Sequence, residues 1–306
     1  MTKRDFLQLN DLTLTEAKEV LAIARTLKGE PKGCRLQSLP GRAVAIVLEK
    51  ASTRTRVSFE VGCAQLGAHP VVLNAQGSQL GRGEPIRDTA RVLERYCDAI
   101  VYRTSTSTRL REMATASVPV INALSDDGHP VQVLCDVLTV EESLGASIGG
   151  KRVAFVGDCS SNMARSWLEA APLFGFQLVL AGPVGYQPPR VEIERAGAHV
   201  VSVHDQRRAL DGCDVVNTDV WTSMGQEAEE DARTQAFAGW TVNADMLASA
   251  QSGAIVLHCL PVHRGEEIDE ATFEGTRSRV WDQAENRLHV QKALLLWLLR
   301  ATDRRA

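Results

Sequence analysis

The sequence predicts an α/β fold of two doubly wound parallel-sheet domains, with the active site in the cleft between them. Short apolar runs alternate with longer segments of helical period, which is typical of a parallel sheet covered by helices. The pattern occurs twice, on either side of a segment that contains Gly145, Gly149 and Gly150. The chain has 306 residues, whereas one domain usually has about 100–200. Two domains follow from these observations.

The first half of the chain begins with an amphipathic helical segment, Leu14–Leu27. The apolar runs predicted to be its strands are Ala43–Leu48, His69–Leu73, Ala99–Arg103 and Val118–Ala123. The segment His129–Leu144 has helical period and carries Pro130 in its first turn, where proline is tolerated. Since the glycine-rich segment follows, residues 1–146 are assigned to the first domain.

The second half repeats the alternation, and residues 147–306 are assigned to the second domain. Its predicted strands are Val153–Val156, Leu178–Ala181, His199–Val203, Val215–Thr218 and Ile255–Cys259. The last segment, Ala284–Arg300, has helical spacing and contains the run LLLWL. Because it is more apolar than a free surface helix, we expect this C-terminal helix to pack back on the first domain.

Composition excludes several classes of partner. The net charge is −4 with interspersed signs, so no broad basic surface for nucleic acid is expected. The first residues turn polar where a signal peptide needs an apolar run, and no stretch approaches the about 20 apolar residues of a membrane span. Seven cysteines without C-x-x-C spacing indicate neither disulfides nor zinc. We expect a cytoplasmic protein that binds small molecules, with no metal and no organic cofactor.

Polar segments follow the predicted strands, where ligands bind in such sheets. Ser52-Thr53-Arg54-Thr55-Arg56 comes after the first strand and opens a helix. The unpaired N–H groups of a helix start, together with hydroxyls and guanidinium groups, are suited to hold a phosphate. The alternative is that Ser52 is an ordinary helix cap and the arginines are solvated. Capping explains one hydroxyl, but two cations at the positive end of a helix dipole favour a bound anion.

Three further positions of the first half point to the same edge of the sheet. The loop Ser78–Pro85 carries Gln79, which is able to reach an anion or to lie in a solvated turn. Arg103 ends a strand, and His129 precedes a helix that carries Gln132 one turn later. Each signal is weak by itself, but their donors are expected to converge with Ser52–Thr55.

The second half lacks the G-x-G-x-x-G fingerprint after its first strand, which disfavours a nicotinamide oxidoreductase. Asn162 opens the following helix and either holds a substrate carboxylate or caps the helix. Asp219-Val220-Trp221-Thr222-Ser223-Met224-Gly225 and His258-Cys259-Leu260-Pro261 each follow a strand and expose polar groups there.

These segments resemble those of the ornithine carbamoyltransferases, within the aspartate/ornithine carbamoyltransferase family. The motifs that carry the resemblance span essentially the whole chain: S-T-R-T-R (52–56), Q-L-G-R-G-E (79–84), H-P-x-Q (129–132), D-x-x-x-S-M-G (219–225), H-C-L-P (258–261) and E-N-R (285–287). In that family the S-M-G loop binds the amino acid and favours ornithine over aspartate. The resemblance implies transfer of the carbamoyl group of carbamoyl phosphate to the side-chain amine of L-ornithine, giving L-citrulline and phosphate, in arginine biosynthesis or breakdown.

The resemblance also implies a role for each matching residue. The residues expected to bind carbamoyl phosphate are Ser52, Thr53, Arg54, Thr55, Gln79, Arg103, His129, Gln132, Cys259, Leu260 and Arg287. Of these, Arg103, His129, Thr55, Cys259 and Arg287 are expected to be catalytic. The residues expected to bind ornithine are Asn162, Asp219, Ser223 and Met224. A homotrimer is implied as well, with the loop of Gln79 reaching into the site of a neighbouring subunit.

Two positions depart from the family pattern: Val131 replaces the cysteine of H-P-C-Q, and Ser161 replaces the first asparagine of a pair. A carbamoyltransferase for putrescine or N-acetylornithine is the nearest alternative. Asp219 with S-M-G argues against putrescine, because that amine has no α-carboxylate or α-ammonium group. A non-catalytic protein that senses carbamoyl phosphate is the alternative from a different class.

Overall fold

The computed structural model describes residues 3–31, 37–75, 79–222 and 227–303. The chain forms two compact units, Met1–Cys135 with Glu285–Ala306, and Asp136–Ala284. Within the described residues, unit 1 contains a four-stranded parallel sheet and unit 2 a five-stranded parallel sheet. The predicted class, two parallel-sheet α/β domains, is confirmed.

Unit 1 places its strands in the order β2-β1-β3-β4. The strands are β1 (Ala43–Leu48), β2 (His69–Asn74), β3 (Ala99–Arg103) and β4 (Val120–Leu124). The helices are α1 (Leu14–Gly29), α2 (Thr53–Leu66), α3 (Ile86–Tyr96), α4 (Ser107–Met113), and parts of α5 (Pro130–Leu144) and α11 (Val280–Asp303). The central strands β1 and β3 are almost wholly buried because helices cover both faces of a parallel sheet.

Local sequence fixes the starts of the first two helices. Thr13 caps α1, and Glu16 accepts a hydrogen bond from the Thr13 N–H at 2.9 Å, which completes a capping box. Ser52 caps α2, accepting from the Thr55 N–H at 3.3 Å. Helix α2 ends at Leu66, and the next residue, Gly67, is its C-cap, with a φ of 84° that suits glycine. The polar segment 52–56 is thereby held at the start of α2.

Unit 2 places its strands in the order β7-β6-β5-β8-β9. The strands are β5 (Arg152–Val156), β6 (Gln177–Ala181), β7 (Val200–Val203), β8 (Val215–Thr218) and β9 (Ile255–His258). The helices between the strands are α6 (Asn162–Phe174), α7 (Arg190–Ala196), α8 (Glu230–Ala236) and α9 (Ala244–Leu247), and α10 (Glu270–Phe273) follows β9. Apolar residues of β5, β6, β8 and β9 pack with Trp221, Phe237 and Trp240 in one core.

The division between the compact units falls inside helix α5, at residues 135 and 136. The limits inferred from the sequence, 1–146 and 147–306, lie at the end of that helix and stay a prediction. Residues 285–306 belong to unit 1. In the described ranges no helix is long and apolar enough to cross a membrane.

Candidate active site

The start of α2 and the end of β3 lie at the same edge of the sheet of unit 1. Strands β1 and β3 are parallel neighbours, and Leu48 pairs with Arg103. The Ser52 side chain is used as the helix cap, so the capping interpretation is correct for its Oγ. Thr53 is exposed, Arg54 is half-buried and Thr55 is fully buried. The first turn of α2 therefore presents N–H groups and a guanidinium group beside a buried hydroxyl.

Arg287 joins the helix start from the other end of the sequence. Its Nη2 atom donates a hydrogen bond to the Thr55 Oγ1 atom at 2.9 Å. The Arg287 residue is 4% exposed, so this guanidinium group is held within unit 1 rather than in solvent. Lys292, one turn further along α11, donates to Gln65 of α2 at 2.8 Å. The two contacts fix α11 along α2.

His129 lies close to the positive charges of Arg287 and Arg103. Burial, followed by the charges of Arg287 and Arg103, holds the pKa of His129 well below its ordinary value. Arg103 is 7% exposed and His129 4%. Gln132 is fully buried and its N–H donates to the His129 carbonyl at 3.0 Å. Unit 1 thus brings together Thr55, Arg103, His129 and Arg287, and it keeps the imidazole neutral.

Gln79 lies apart from this group. It opens a short 3-10 turn, Gln79–Arg82, and its side chain is exposed. No hydrogen bond among the described residues joins its side chain to Thr55 or Arg287. Its predicted role in anion binding stays a prediction. Val131, a departure from the family pattern, is fully buried.

Unit 2 brings Asp219 and Cys259 together at the ends of β8 and β9. The Cys259 thiol donates to the Asp219 Oδ1 atom at 3.3 Å, and the Val220 N–H donates to the same oxygen at 2.9 Å. Loss of hydration raises the pKa of the Asp219 carboxyl above its ordinary value, although the hydrogen bonds from the Val220 N–H and the Cys259 thiol oppose this shift. Ser223 and Met224, the other predicted ornithine contacts after β8, lie outside the described residues.

Asn162 is not the cap of α6, although capping was the alternative role for it. Ser161 is the N-cap of α6 and accepts from the Ala164 N–H at 3.3 Å. The serine that departs from the family pattern therefore does the capping, and Asn162 occupies the first helical position. Its carbonyl accepts from the Ser166 hydroxyl at 2.9 Å.

His258, which had no predicted role, stabilises the H-C-L-P turn through two hydrogen bonds. His258 accepts from the Leu260 N–H through Nδ1 at 2.9 Å, and its Nε2 lies 2.9 Å from Glu267 Oε1. The contact at Nδ1 requires Nε2 to carry the proton, so His258 donates to the carboxylate. Both side chains are fully buried. The turn places Leu260 at a φ of 64°, a conformation that is uncommon for leucine.

A buried salt bridge connects the segments that follow β5 and β8. Arg233 of α8 donates through Nη1 to Asp158 at 2.8 Å and to the Trp221 carbonyl at 3.0 Å. The side chains of Arg233 and Asp158 are 7% and 3% exposed. This pair could not be predicted from sequence motifs, because 75 residues separate Asp158 from Arg233. It ties the start of α6 to the segment after Asp219.

Two family models match the chain. They describe the carbamoyl-P binding domain of aspartate/ornithine carbamoyltransferase, over residues 4–142, and the Asp/Orn binding domain, over residues 149–298. An ornithine carbamoyltransferase of Sorangium cellulosum is 70% identical over 306 residues and covers 98% of each chain. The crystal structure of ornithine carbamoyltransferase from Thermus thermophilus has a TM-score of 0.89 at 40% identity and covers 98% of this chain and 100% of that chain. The anabolic ornithine carbamoyltransferase from Campylobacter jejuni has a TM-score of 0.91 at 38% identity and covers 99% of this chain and 100% of that chain.

Two parallel α/β units, a buried cationic group beside a helix start and the two matching family models together define a carbamoyltransferase. The chain belongs to the aspartate/ornithine carbamoyltransferase family. The similar proteins described above are ornithine carbamoyltransferases by name.

Proposed function

We propose that the chain transfers the carbamoyl group of carbamoyl phosphate to the side-chain amine of L-ornithine, giving L-citrulline and phosphate. The observation that carries the proposal is the grouping of Thr55, Arg103, His129 and Arg287 in unit 1. Such a group suits a small dianion whose carbonyl oxygen gains charge during the reaction. Similarity to named ornithine carbamoyltransferases over nearly the full chain supports the choice of donor and acceptor.

The donor half of the reaction uses cations and hydrogen-bond donors. The start of α2, with Ser52, Thr53 and Arg54, holds the phosphate group together with Arg103, and Gln79 of a neighbouring subunit completes this set. Thr55, His129 and Arg103 donate to the carbamoyl oxygen. When the amine attacks the carbonyl carbon, that oxygen becomes an oxyanion, and each well-placed donor then contributes about 3–4 kcal/mol to lowering the barrier.

The amide end of the carbamoyl group needs acceptors for its two N–H bonds. The carbonyl oxygens of Cys259 and Leu260 serve as acceptors, and Gln132 and Arg287 orient the group. The His258–Glu267 contact fixes the backbone of that turn. As the tetrahedral intermediate collapses, the bond from the carbonyl carbon to the phosphate oxygen breaks and phosphate leaves.

The acceptor half must supply a neutral amine. An alkyl-ammonium group with a pKa of about 10.4 is deprotonated in roughly one molecule in a few thousand at neutral pH, a cost of about 4–5 kcal/mol. Asp219 binds the α-ammonium group, while Asn162, Ser223 and the backbone of Met224 bind the rest of the amino acid. Cys259, which donates to Asp219, helps to place the reacting amine and to remove its proton.

Steady-state assays with several amines test this proposal. Citrulline and phosphate should form in equal amounts from carbamoyl phosphate and ornithine. Putrescine and N-acetylornithine should react at least about 100-fold more slowly, because each leaves a buried polar group of the acceptor site unpaired. Preferred carbamoylation of putrescine, or binding of both substrates without turnover, would refute the proposal.

A cytoplasmic homotrimer that serves arginine biosynthesis completes the proposal. The biosynthetic direction is supported by similarity to a protein described as anabolic. The exposed position of Gln79 suits a residue that completes the site of a neighbouring subunit. Mixing Arg54→Ala and Gln79→Ala protomers should restore some intact sites. Verified mixed trimers without recovered activity would contradict the shared site.

A further inference from the structure

The carboxylate of Glu49 holds three groups at the end of strand β3 and the start of α4. Its Oε1 atom accepts hydrogen bonds from the Tyr102 hydroxyl and from Arg109 Nε, the latter at 2.8 Å. Its Oε2 atom accepts from the Thr104 hydroxyl at 2.9 Å. The Glu49 side chain is 11% exposed. The negative charge of Glu49 is therefore paired with the Arg109 guanidinium group, and its oxygens also accept from two hydroxyl groups.

The same residue also fixes the backbone between these groups. The Glu49 N–H donates to the Arg103 carbonyl at 3.0 Å. Glu49 thus contacts three consecutive residues, with Arg103 in the middle. At Tyr102 and Arg103 the pairing of β3 with β4 shifts register, so the strand is held less regularly on that side. The contacts of Glu49, which follows β1, hold Arg103 where its pairing with β4 is irregular.

Glu49 is also the first residue after β1 on the way to the start of α2, Ser52–Thr55, which is called the phosphate cradle. Strand β1 ends at Leu48, and Ser52, the cap of α2, follows Glu49 by one short turn. Glu49 therefore ties the chain that enters the cradle to the chain that carries Arg103. A displacement of about 1 Å between two binding groups can lower a rate about 100-fold, so a contact at this place has consequences for the anion.

We propose that Glu49 is a positioning residue that sets Arg103 at the correct distance from the start of α2 and so determines affinity for the phosphate group of the donor. This inference rests on the proposed function for the identity of the donor. Glu49 itself does not touch the substrate. Its negative charge close to an anion site is tolerated because Arg109 and two hydroxyls take up its hydrogen-bonding capacity.

The opposite end of the same strand pair offers a matched control. Asp98 accepts from the Ala43 N–H at 2.8 Å and from Arg42 Nη1 at 2.6 Å, and its own N–H donates to the Ala43 carbonyl. Like Glu49, it is a carboxylate that joins β1 to β3. Since Ala43 begins β1 and the cradle follows its end, Asp98 should affect stability alone.

The experiment compares Glu49→Ala, Glu49→Gln and Asp98→Ala in the full chain. Calorimetric titration with inorganic phosphate gives anion affinity, steady-state kinetics give KM for carbamoyl phosphate and ornithine, and Tm gives stability. Glu49→Ala should weaken both anion measures at least about tenfold, while KM for ornithine changes less than about twofold. Glu49→Gln keeps one acceptor oxygen and should lie between Glu49→Ala and the parent. Asp98→Ala should lower Tm and leave both anion measures within about twofold.

Two results would overturn the positioning role: parent-like anion affinity in folded Glu49→Ala, or an equal loss in Asp98→Ala. If Glu49→Ala does not fold, the double variant Tyr102→Phe with Thr104→Val keeps the Arg109 contact and should weaken phosphate binding about three- to tenfold. Parent-like affinity there would also overturn the role. Phosphate binding that depends on Glu49 in a chain that forms no citrulline would support the role and refute the proposed function.

Discussion

Removing the His129 imidazole should lower kcat about 10²–10³-fold, which corresponds to about 2.7–4 kcal/mol of transition-state stabilisation. The magnitude follows from the position of His129, which is 4% exposed and close to the charges of Arg103 and Arg287. A neutral imidazole there has one N–H to donate to the carbamoyl oxygen. Because the oxyanion forms only during the reaction, the loss should fall on kcat and much less on affinity for carbamoyl phosphate.

The assay is steady-state citrulline formation by His129→Ala, His129→Asn and His129→Gln. Asn and Gln replace the two ring nitrogens by amide donors at different distances, so one of them should recover part of the rate. His289→Gln is the matched control, since His289 is another buried histidine with a lowered pKa on helix α11. It should change kcat less than about twofold.

The pH dependence gives a second test of the same residue. Since the pKa of His129 in the folded chain lies well below its value of 6.5 when unfolded, the unfolded chain binds the extra proton first. The stability contributed by this group is fully present above about pH 6.5 and is lost as the pH falls. Between pH 6.5 and 8 the kcat of the parent should show no titration of His129. A folded His129→Ala variant with parent-like kcat would refute the proposed role.

Three further changes test other parts of the structure. Arg233→Met should lower the free energy of unfolding of unit 2 in urea by about 3–5 kcal/mol, because it leaves Asp158 buried without its cation. The control Arg190→Met, at a side chain 92% exposed, should change that free energy by less than about 0.5 kcal/mol. Equal effects of the two changes would contradict the role of the buried pair. Asp219→Asn should raise Tm at neutral pH and raise KM for ornithine at least about tenfold. Since the pKa of Asp219 is raised, its stabilising contribution is complete below about pH 4 and is lost as the pH rises, so the gain in Tm should vanish near pH 4. Cys259→Ser keeps a donor for Asp219 and should retain measurable turnover, because the amine attacks directly; complete loss in a folded variant would indicate a covalent role for the thiol.

The strands could be predicted closely because their cores are uninterrupted apolar runs. Ala43–Leu48, Ala99–Arg103 and Val215–Thr218 have the predicted bounds. The last strand is predicted to reach Cys259 but ends at His258, because its pairing partner β8 ends at Thr218, opposite His258. The C-terminal helix begins at Val280, four residues before its predicted start.

The contacts that assemble the candidate site were harder to predict. Local spacing gave Thr55 and Arg287 only as separate motifs, yet their hydrogen bond joins residues 232 apart in sequence. Glu49 gave no signal of its own, since its partners Tyr102 and Arg109 are 53 and 60 residues away. Helical and strand periods report which face of an element is buried, but they do not report which polar partners meet across the fold.

An isotope experiment tests the central claim, transfer of the carbamoyl carbon to the side-chain nitrogen of ornithine, most directly. Carbamoyl phosphate labelled with ¹³C and ornithine labelled with ¹⁵N in its side-chain amine are incubated with the protein, and the product is observed by NMR. The proposed reaction predicts a directly bonded ¹³C–¹⁵N coupling in citrulline, with one phosphate released for each bond formed. Two results would contradict it: loss of labelled carbamoyl phosphate no faster than its spontaneous decay, or attachment of the ¹³C label to the α-nitrogen.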